Sequence, residues 1–318
     1  MIVDEKETGK SEMAEIVDTW FEYVWGKSLD KETHTIIFDF DDTIVNSHGV
    51  QIEAWVELIQ EAIKESYNLK ASNFLNIDGL ERYDNNEKIR ISDIDRLMKF
   101  ITKIFFEKQH AEEIFNEIFA NLSDDIKDVL HQKRFTIRQN KMKKVSLFDG
   151  VEDTIRELEK DFNLVIISAT DDELIKDYLG KQEFKKDNKS PLYRSFKYIF
   201  GKQEPDFQWR NINRKSQLIY KVTSIVGVPV ERMVYVGDND GDFKASQSIK
   251  IDFIEARLFG EEVKKATGKE SLIEIKKQTD KTKFFTKWEE LRNVLEENVL
   301  KEVEQAKKER LINELSSK

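Results

Sequence analysis

The feature that most limits what this chain can fold into is a series of short apolar runs, set between segments of helical periodicity. Thr35-Ile36-Ile37-Phe38 leads into Asp39, Leu164-Val165-Ile166-Ile167 into Ser168, and Met233-Val234-Tyr235-Val236 into Gly237 and Asp238. Tyr198-Ile199-Phe200 and Asp252-Phe253-Ile254 have the same character. Runs of this length are too short for helices, and without polar alternation they read as strands buried on both faces. Such strands, alternating with helices, imply an α/β fold: a Rossmann-like, doubly wound parallel sheet with helices on both sides.

Between the first run and the second lies a long interruption. From His48 to about Lys144 the spacing is helical almost throughout, with Ala54, Trp55, Leu58, Ile59 and Ile63 on one stripe. Leu97, Phe100, Ile101, Ile104 and Phe105 form a later one. The segment reads as a helical unit inserted at residues 48–145 into a core made of 34–47 and 146–280. An N-terminal extension, 1–33, carries a helix from Ser11 to Trp25. At the other end, 281–318 reads as an amphipathic helix with Trp288, Leu291, Leu295, Val299, Val303 and Ala306 on one stripe. That stripe is interrupted by Lys307 to Arg310 and is short for a coiled coil, so packing within the chain and a monomer are expected.

Composition narrows the chemistry. The 318 residues contain no cysteine, which removes thiolate metal sites and thiol nucleophiles and leaves carboxylates as metal ligands, suited to a hard cation. The net charge of -10 argues against nucleic acid as the main partner. No apolar stretch approaches membrane-spanning length and the first residues are polar, so a cytoplasmic address is expected. The 4 histidines, at 34, 48, 110 and 131, are scattered and read as structural.

Open α/β sheets bind ligands at the carboxyl ends of their strands, and the acids collect there. Asp39 and Asp41 are two apart at the end of the first run, so in extended geometry they project to the same side. Ser168 ends the second run. Gly237-Asp238-Asn239-Asp240-Gly241-Asp242 follows the Met233 strand, with Asp238 and Asp242 one helical turn apart if a helix starts there. Lys215 opens the helical stretch before that strand.

The ordered set DFDDT (Asp39 to Thr43), IIS (Ile166 to Ser168), Lys215 and GDNDGD resembles the four signature motifs of the haloacid dehalogenase-like superfamily. FDFDDTIVNSH, then a long helical insert, then LFDGVEDTIRELEKDFNLVIISAT, is similar to the helical-cap subgroup that includes phosphoglycolate phosphatases and β-phosphoglucomutases. The resemblance spans roughly residues 34 to 256. Asp149 stands where the subgroup often has proline, and the connections Gln182 to Arg194 and Gln203 to Asn213 are longer than usual.

The resemblance implies a hydrolase that cleaves a small-molecule phosphate monoester through an aspartyl-phosphate, with Mg2+ as cofactor and a small phosphorylated metabolite as substrate. Asp39 is then the nucleophile and Asp41 the general acid and base. Thr43, Ser168, Ala169 and Lys215 would hold phosphoryl oxygens. Asp39, Asp238 and the backbone carbonyl of Asp41 suit Mg2+, with Asp242 orienting Lys215 or a metal-bound water. Lys88 and Arg90, in the polar stretch of the cap, are candidates for reading the leaving group. A phosphomutase using the same groups is the runner-up, ahead of a binding protein that has kept the fold without the catalysis. A dehalogenase is disfavoured, because it needs neither a second acid nor a metal.

Overall fold

The computed structural model describes residues 33–64, 77–83, 88–108, 111–119, 122–181, 190–202, 213–269, 271 and 283–297. The expected helix from Ser11 to Trp25, the connections 182–189 and 203–212, and the tail from 298 lie outside the described residues.

Six parallel strands form the core sheet: β1 (Thr35–Phe38), β4 (Asn163–Asp171), β5 (Tyr198–Lys202), β6 (Met233–Gly237), β7 (Asp252–Ala256) and β8 (Lys283–Phe285). Their spatial order is β5-β4-β1-β6-β7-β8. From β1 the chain winds outward through β4 to β5, then crosses back to β6 and winds the other way, so the order reverses between β1 and β6. This is the expected doubly wound α/β architecture.

The pleat sorts the apolar runs between two faces. Ile36, Phe38, Leu164, Ile166, Val234 and Val236 point to one side, where Val151, Ile155 and Leu158 of helix α5 (Val151–Leu158) cover them. Ile37, Val165, Ile167, Met233 and Tyr235 point to the other, beneath α7 (Asn213–Val226) and α8 (Asp240–Ile249). Burial on both faces is why these strands are continuously apolar, at about 2 kcal/mol for each aliphatic side chain removed from water.

Residues 283–297 pack on this core. A boundary at residue 280 falls just short of β8, a three-residue edge strand too brief to register as a strand pattern in the sequence. A 3-10 turn (Trp288–Glu290) and the helix α10 (Leu291–Leu295) follow, burying Trp288, Leu291 and Leu295 in the same cluster as Phe38. Trp288 stacks on Phe38 with centroids 5.6 Å apart and meets Phe285 edge-on at 5.7 Å.

The inserted unit has its own core. Helices α1 (His48–Lys64), α2 (Ile94–Lys108), α3 (Ala111–Ile118) and α4 (Asp124–Met142) enclose Trp55, Leu58, Leu97, Ile101, Phe115 and Ile137. It is not helical throughout: β2 (Leu80–Tyr83) and β3 (Lys88–Ile91) pair as an antiparallel hairpin. Strands of four residues carry too little periodicity to stand out beside helices of fifteen and more.

The two passages between core and insert run side by side. Asn46 N donates to the Ser146 carbonyl (3.0 Å), and Val45 and Leu147 form an antiparallel bridge. A second contact is apolar: Phe106 of α2 packs on Phe259 and on Val263 of α9 (Gly260–Thr267). The His48 ring lies 4.0 Å from that of Phe259. Burial pushes the His48 imidazole pKa down, opposed by the charge of Glu262.

Candidate active site

The site forms where the strand order reverses. β1 and β6 pair in register from Thr35↔Met233 to Phe38↔Val236, so Asp39 and Asp238 emerge near each other at the carboxyl end of the sheet. Beyond β1 the chain closes a tight loop, with Asp42 N donating to the Val45 carbonyl (2.8 Å) and Ile44 N to the Phe40 carbonyl (3.0 Å). Phe40, between the two acids, turns into the core against Tyr178. Asp42 has a left-handed backbone (φ 59), a conformation that Asp tolerates better than most residues. Its Oδ1 accepts from both the amide and the hydroxyl of Ser47, at 2.9 Å each.

Carboxylate oxygens of Asp39, Asp238 and Asp242 lie within 4.8 Å of one another, and all three residues are buried. The three acids can approach this closely because Gly237 carries no side chain: a Cβ there would meet Oδ2 of Asp242 at 2.6 Å. Asn239 caps α8 by accepting from the Asp242 amide, and its own amide donates to Asp238 Oδ1 at 3.1 Å. Thr43 Oγ1 stands 3.4 Å from that same oxygen. Lys215, at the start of α7, places Nζ 3.0 Å from Asp39 Oδ1 and 2.5 Å from Asp242 Oδ1. The Tyr235 hydroxyl also donates to Asp242 Oδ1, at 3.2 Å.

Charge is out of balance here. Three carboxylates share one lysine, and Oδ2 of Asp242 is buried without a hydrogen-bond partner. Burial, reinforced by Asp242 and only partly offset by Lys215, pushes the Asp39 carboxyl up to about 8. Burial and the charges of Asp242, Asp42 and Asp39 push Asp238 well above the ordinary carboxylate range. Burial would lower Lys215, but Asp242 and Asp39 outweigh it and hold the ammonium protonated. An all-oxygen donor set with surplus negative charge fits a hard divalent cation.

Asp41 belongs to a different set of contacts. Its Oδ2 accepts from the Thr170 hydroxyl and from Nη2 of Arg138 (2.8 Å), while its Oδ1 is buried with no partner. Thr170 in turn receives Arg138 Nη2 at 2.8 Å and donates its amide to Ser168 Oγ (3.1 Å). Ser168 is buried, and Ala169 beside it is open to solvent.

Of the expected site residues, Asp39, Lys215, Asp238 and Asp242 therefore meet directly, Thr43 joins them through Asp238, and Ser168 joins Asp41 through Thr170. Arg90 is not brought to the carboxylates by any described contact. It lies exposed on the β2–β3 hairpin and pairs with Glu81 at 3.2 Å. The Lys88 side chain is outside what is described. Arg138, Thr170, Tyr235 and Asn239 are the additions. Thr170 lies two residues after Ser168, on the same side of a strand, and Asn239 lies three before Asp242, a helix-cap spacing. Arg138 has no such local signal.

The chain matches the model of the haloacid dehalogenase-like hydrolases over residues 33–249. No curated protein matches it. Among solved structures, a haloacid dehalogenase-like family hydrolase from Streptococcus pneumoniae is similar with a TM-score of 0.50 at 17% identity, covering 75% of this chain and 92% of its own. A predicted phosphatase from Clostridium acetobutylicum gives 0.52 at 15%, covering 83% and 99%. A predicted phosphoglycolate phosphatase from Haemophilus somnus gives 0.50 at 14%, covering 84% and 99%. At these identities the structural likeness is one of fold.

Proposed function

Because the chain belongs to the haloacid dehalogenase-like hydrolases, we propose that it is a Mg2+-dependent phosphatase that cleaves small-molecule phosphate monoesters with Asp39 as nucleophile. The observation that carries this reading is the division of the carboxylates. Asp39, Asp238 and Asp242 cluster around one lysine, whereas Asp41 stands apart with a free oxygen and its own donors. Phosphoryl transfer through a covalent intermediate needs both: an acidic cluster for the cation and nucleophile, and a separate carboxyl for proton transfer.

Asp39, Asp238 and the backbone carbonyl of Asp41 would hold the cation, with Asp242 behind them, and its charge would offset that of the phosphoryl oxygens. An Asp39 carboxylate oxygen attacks phosphorus as the ester P–O bond breaks, and the leaving oxygen takes a proton from Asp41. Water then attacks the phosphorus of the aspartyl-phosphate and gives a proton back to Asp41, releasing phosphate and restoring Asp39. Lys215 supplies positive charge beside Asp39, and the Ser168 hydroxyl and Ala169 amide, on β4 beside β1, would bind phosphoryl oxygens.

The test is Asp39→Asn, nearly isosteric but unable to attack phosphorus. Phosphate release from an aryl phosphate with Mg2+ is expected to vanish while the circular dichroism spectrum and melting transition persist. Activity within a few-fold of wild type would refute the mechanism.

A further inference from the structure

We propose that Arg138, a residue of the inserted cap rather than of the core, positions Asp41 for proton transfer. The inference rests on the phosphatase reading above. It starts from which oxygen of Asp41 is occupied. Oδ2 receives two donors, the Thr170 hydroxyl and Arg138 Nη2, and Arg138 Nη2 also contacts the Thr170 oxygen, so the three groups form a closed triangle. An oxygen already accepting from a guanidinium and a hydroxyl is a poor place for a proton. Oδ1 is buried with no partner, so it is the oxygen whose hydrogen-bonding capacity is left for the substrate.

The geometry is built rather than incidental. The Arg138 and Asp41 side chains are only 11% and 16% exposed, so the pair is sheltered from the screening that makes surface ion pairs weak. Arg138 lies on α4 one turn before its end, next to Ile137, which is buried in the cap's own core. One turn earlier on α4, Arg134 places its guanidinium 4.5 Å from the centre of the Trp55 ring. α4 is thus fastened to the cap interior in the turn before Arg138, and one turn after it Met142 is buried in the core cluster with Phe38. The guanidinium reaches Asp41 across the junction of insert and core, and without it Thr170 alone would hold the carboxylate, so that rotation about the Cβ–Cγ bond would exchange its two oxygens.

Arg138 is a positioning residue in this scheme, acting through Asp41, and the readout must report on the proton delivered to the leaving group. The full-length chain with Mg2+ is assayed on p-nitrophenyl phosphate, whose phenolate departs without protonation, and on an alkyl phosphate such as phenethyl phosphate, whose alkoxide requires it. For Arg138→Met, kcat on the alkyl ester is expected to fall on the order of 100-fold, against less than about 5-fold on the aryl ester, with KM changing little. Arg138→Lys, which keeps a donor, is expected to recover about tenfold of the alkyl-ester loss. Thr170→Val removes the other donor and provides the same selective loss if Arg138→Met does not fold. Equal losses on the two esters, or a change confined to KM, would overturn the inference while leaving the phosphatase reading intact. A wild-type enzyme that releases phosphate from neither ester would overturn both.

Discussion

Asp42 offers a substitution that should stabilise the protein, and by an amount that depends on pH. It is buried beside Asp41, and burial first, then the charge of Asp41, pushes its carboxyl up to about 7 from an ordinary 3.8 despite two hydrogen bonds from Ser47 and one from the His48 amide. A carboxyl whose folded-state pKa is raised opposes folding once the pH exceeds its unfolded value, and the opposition grows until the folded value is reached. At about 1.4 kcal/mol per pH unit, the Asp42 carboxyl costs folding about 4 kcal/mol at pH 8, where it is held ionised, but under about 2 kcal/mol at pH 5, where it takes up a proton instead. Asn at this position accepts the same two hydrogen bonds from Ser47, tolerates the same left-handed backbone and carries no charge. Asp42→Asn should therefore melt higher than wild type in EDTA at pH 8, by roughly 8 to 16 °C at about 2–4 °C per kcal/mol, and by less than half as much at pH 5. Comparing the two proteins at each pH cancels the titration of groups they share. A variant that melts lower at pH 8, or whose gain does not grow between pH 5 and pH 8, would refute the reasoning.

Mg2+ is expected to raise the melting temperature of the wild type at pH 8 and to leave that of Asp238→Asn nearly unchanged; an equal rise in both would remove Asp238 from the cation site. Trp288→Ala should cost about 3–5 kcal/mol, through loss of its fully buried ring, its stack on Phe38 and its Nε1–H bond to the Thr43 carbonyl (3.0 Å). Urea denaturation showing a loss under about 1 kcal/mol would contradict that role. Truncation before Trp288 also removes Leu291 and Leu295 and is expected to destabilise the chain further than Trp288→Ala does.

The parts of this molecule that can be read from its sequence are those whose residues are neighbours in the chain. β1, β4 and β6 announce themselves because burial on both faces forces continuous apolar runs, and the acids follow them directly, so strand and functional group appear in one short string. Asp39 and Asp41 follow the first run two residues apart, and Asp238 and Asp242 bracket the Asn239 cap of α8. Arg138 is out of reach for the opposite reason. Its contact with Asp41 spans 97 positions and depends on how the cap settles on the core, which no local periodicity encodes. Its own helix gives no hint either, since basic residues at 133, 134, 138 and 141 look alike until tertiary contacts separate them. The hairpin and β8 are illegible because three- and four-residue strands take their stability from partners elsewhere in the chain rather than from a pattern of their own.

The paired passages between core and cap have a mechanical meaning. Two independent tethers would let an inserted unit swing, twist and slide, and each freedom would have to be frozen out for every turnover. Here Asn46 is bonded to Ser146, and Val45 is bridged to Leu147. The two strands of the connection therefore behave as one ribbon, stiff against shear in its own plane and compliant only to bending across it. A tilt of the insert about that ribbon would carry Phe106 away from Phe259 and Arg138 away from Asp41 together, as two points on one lever.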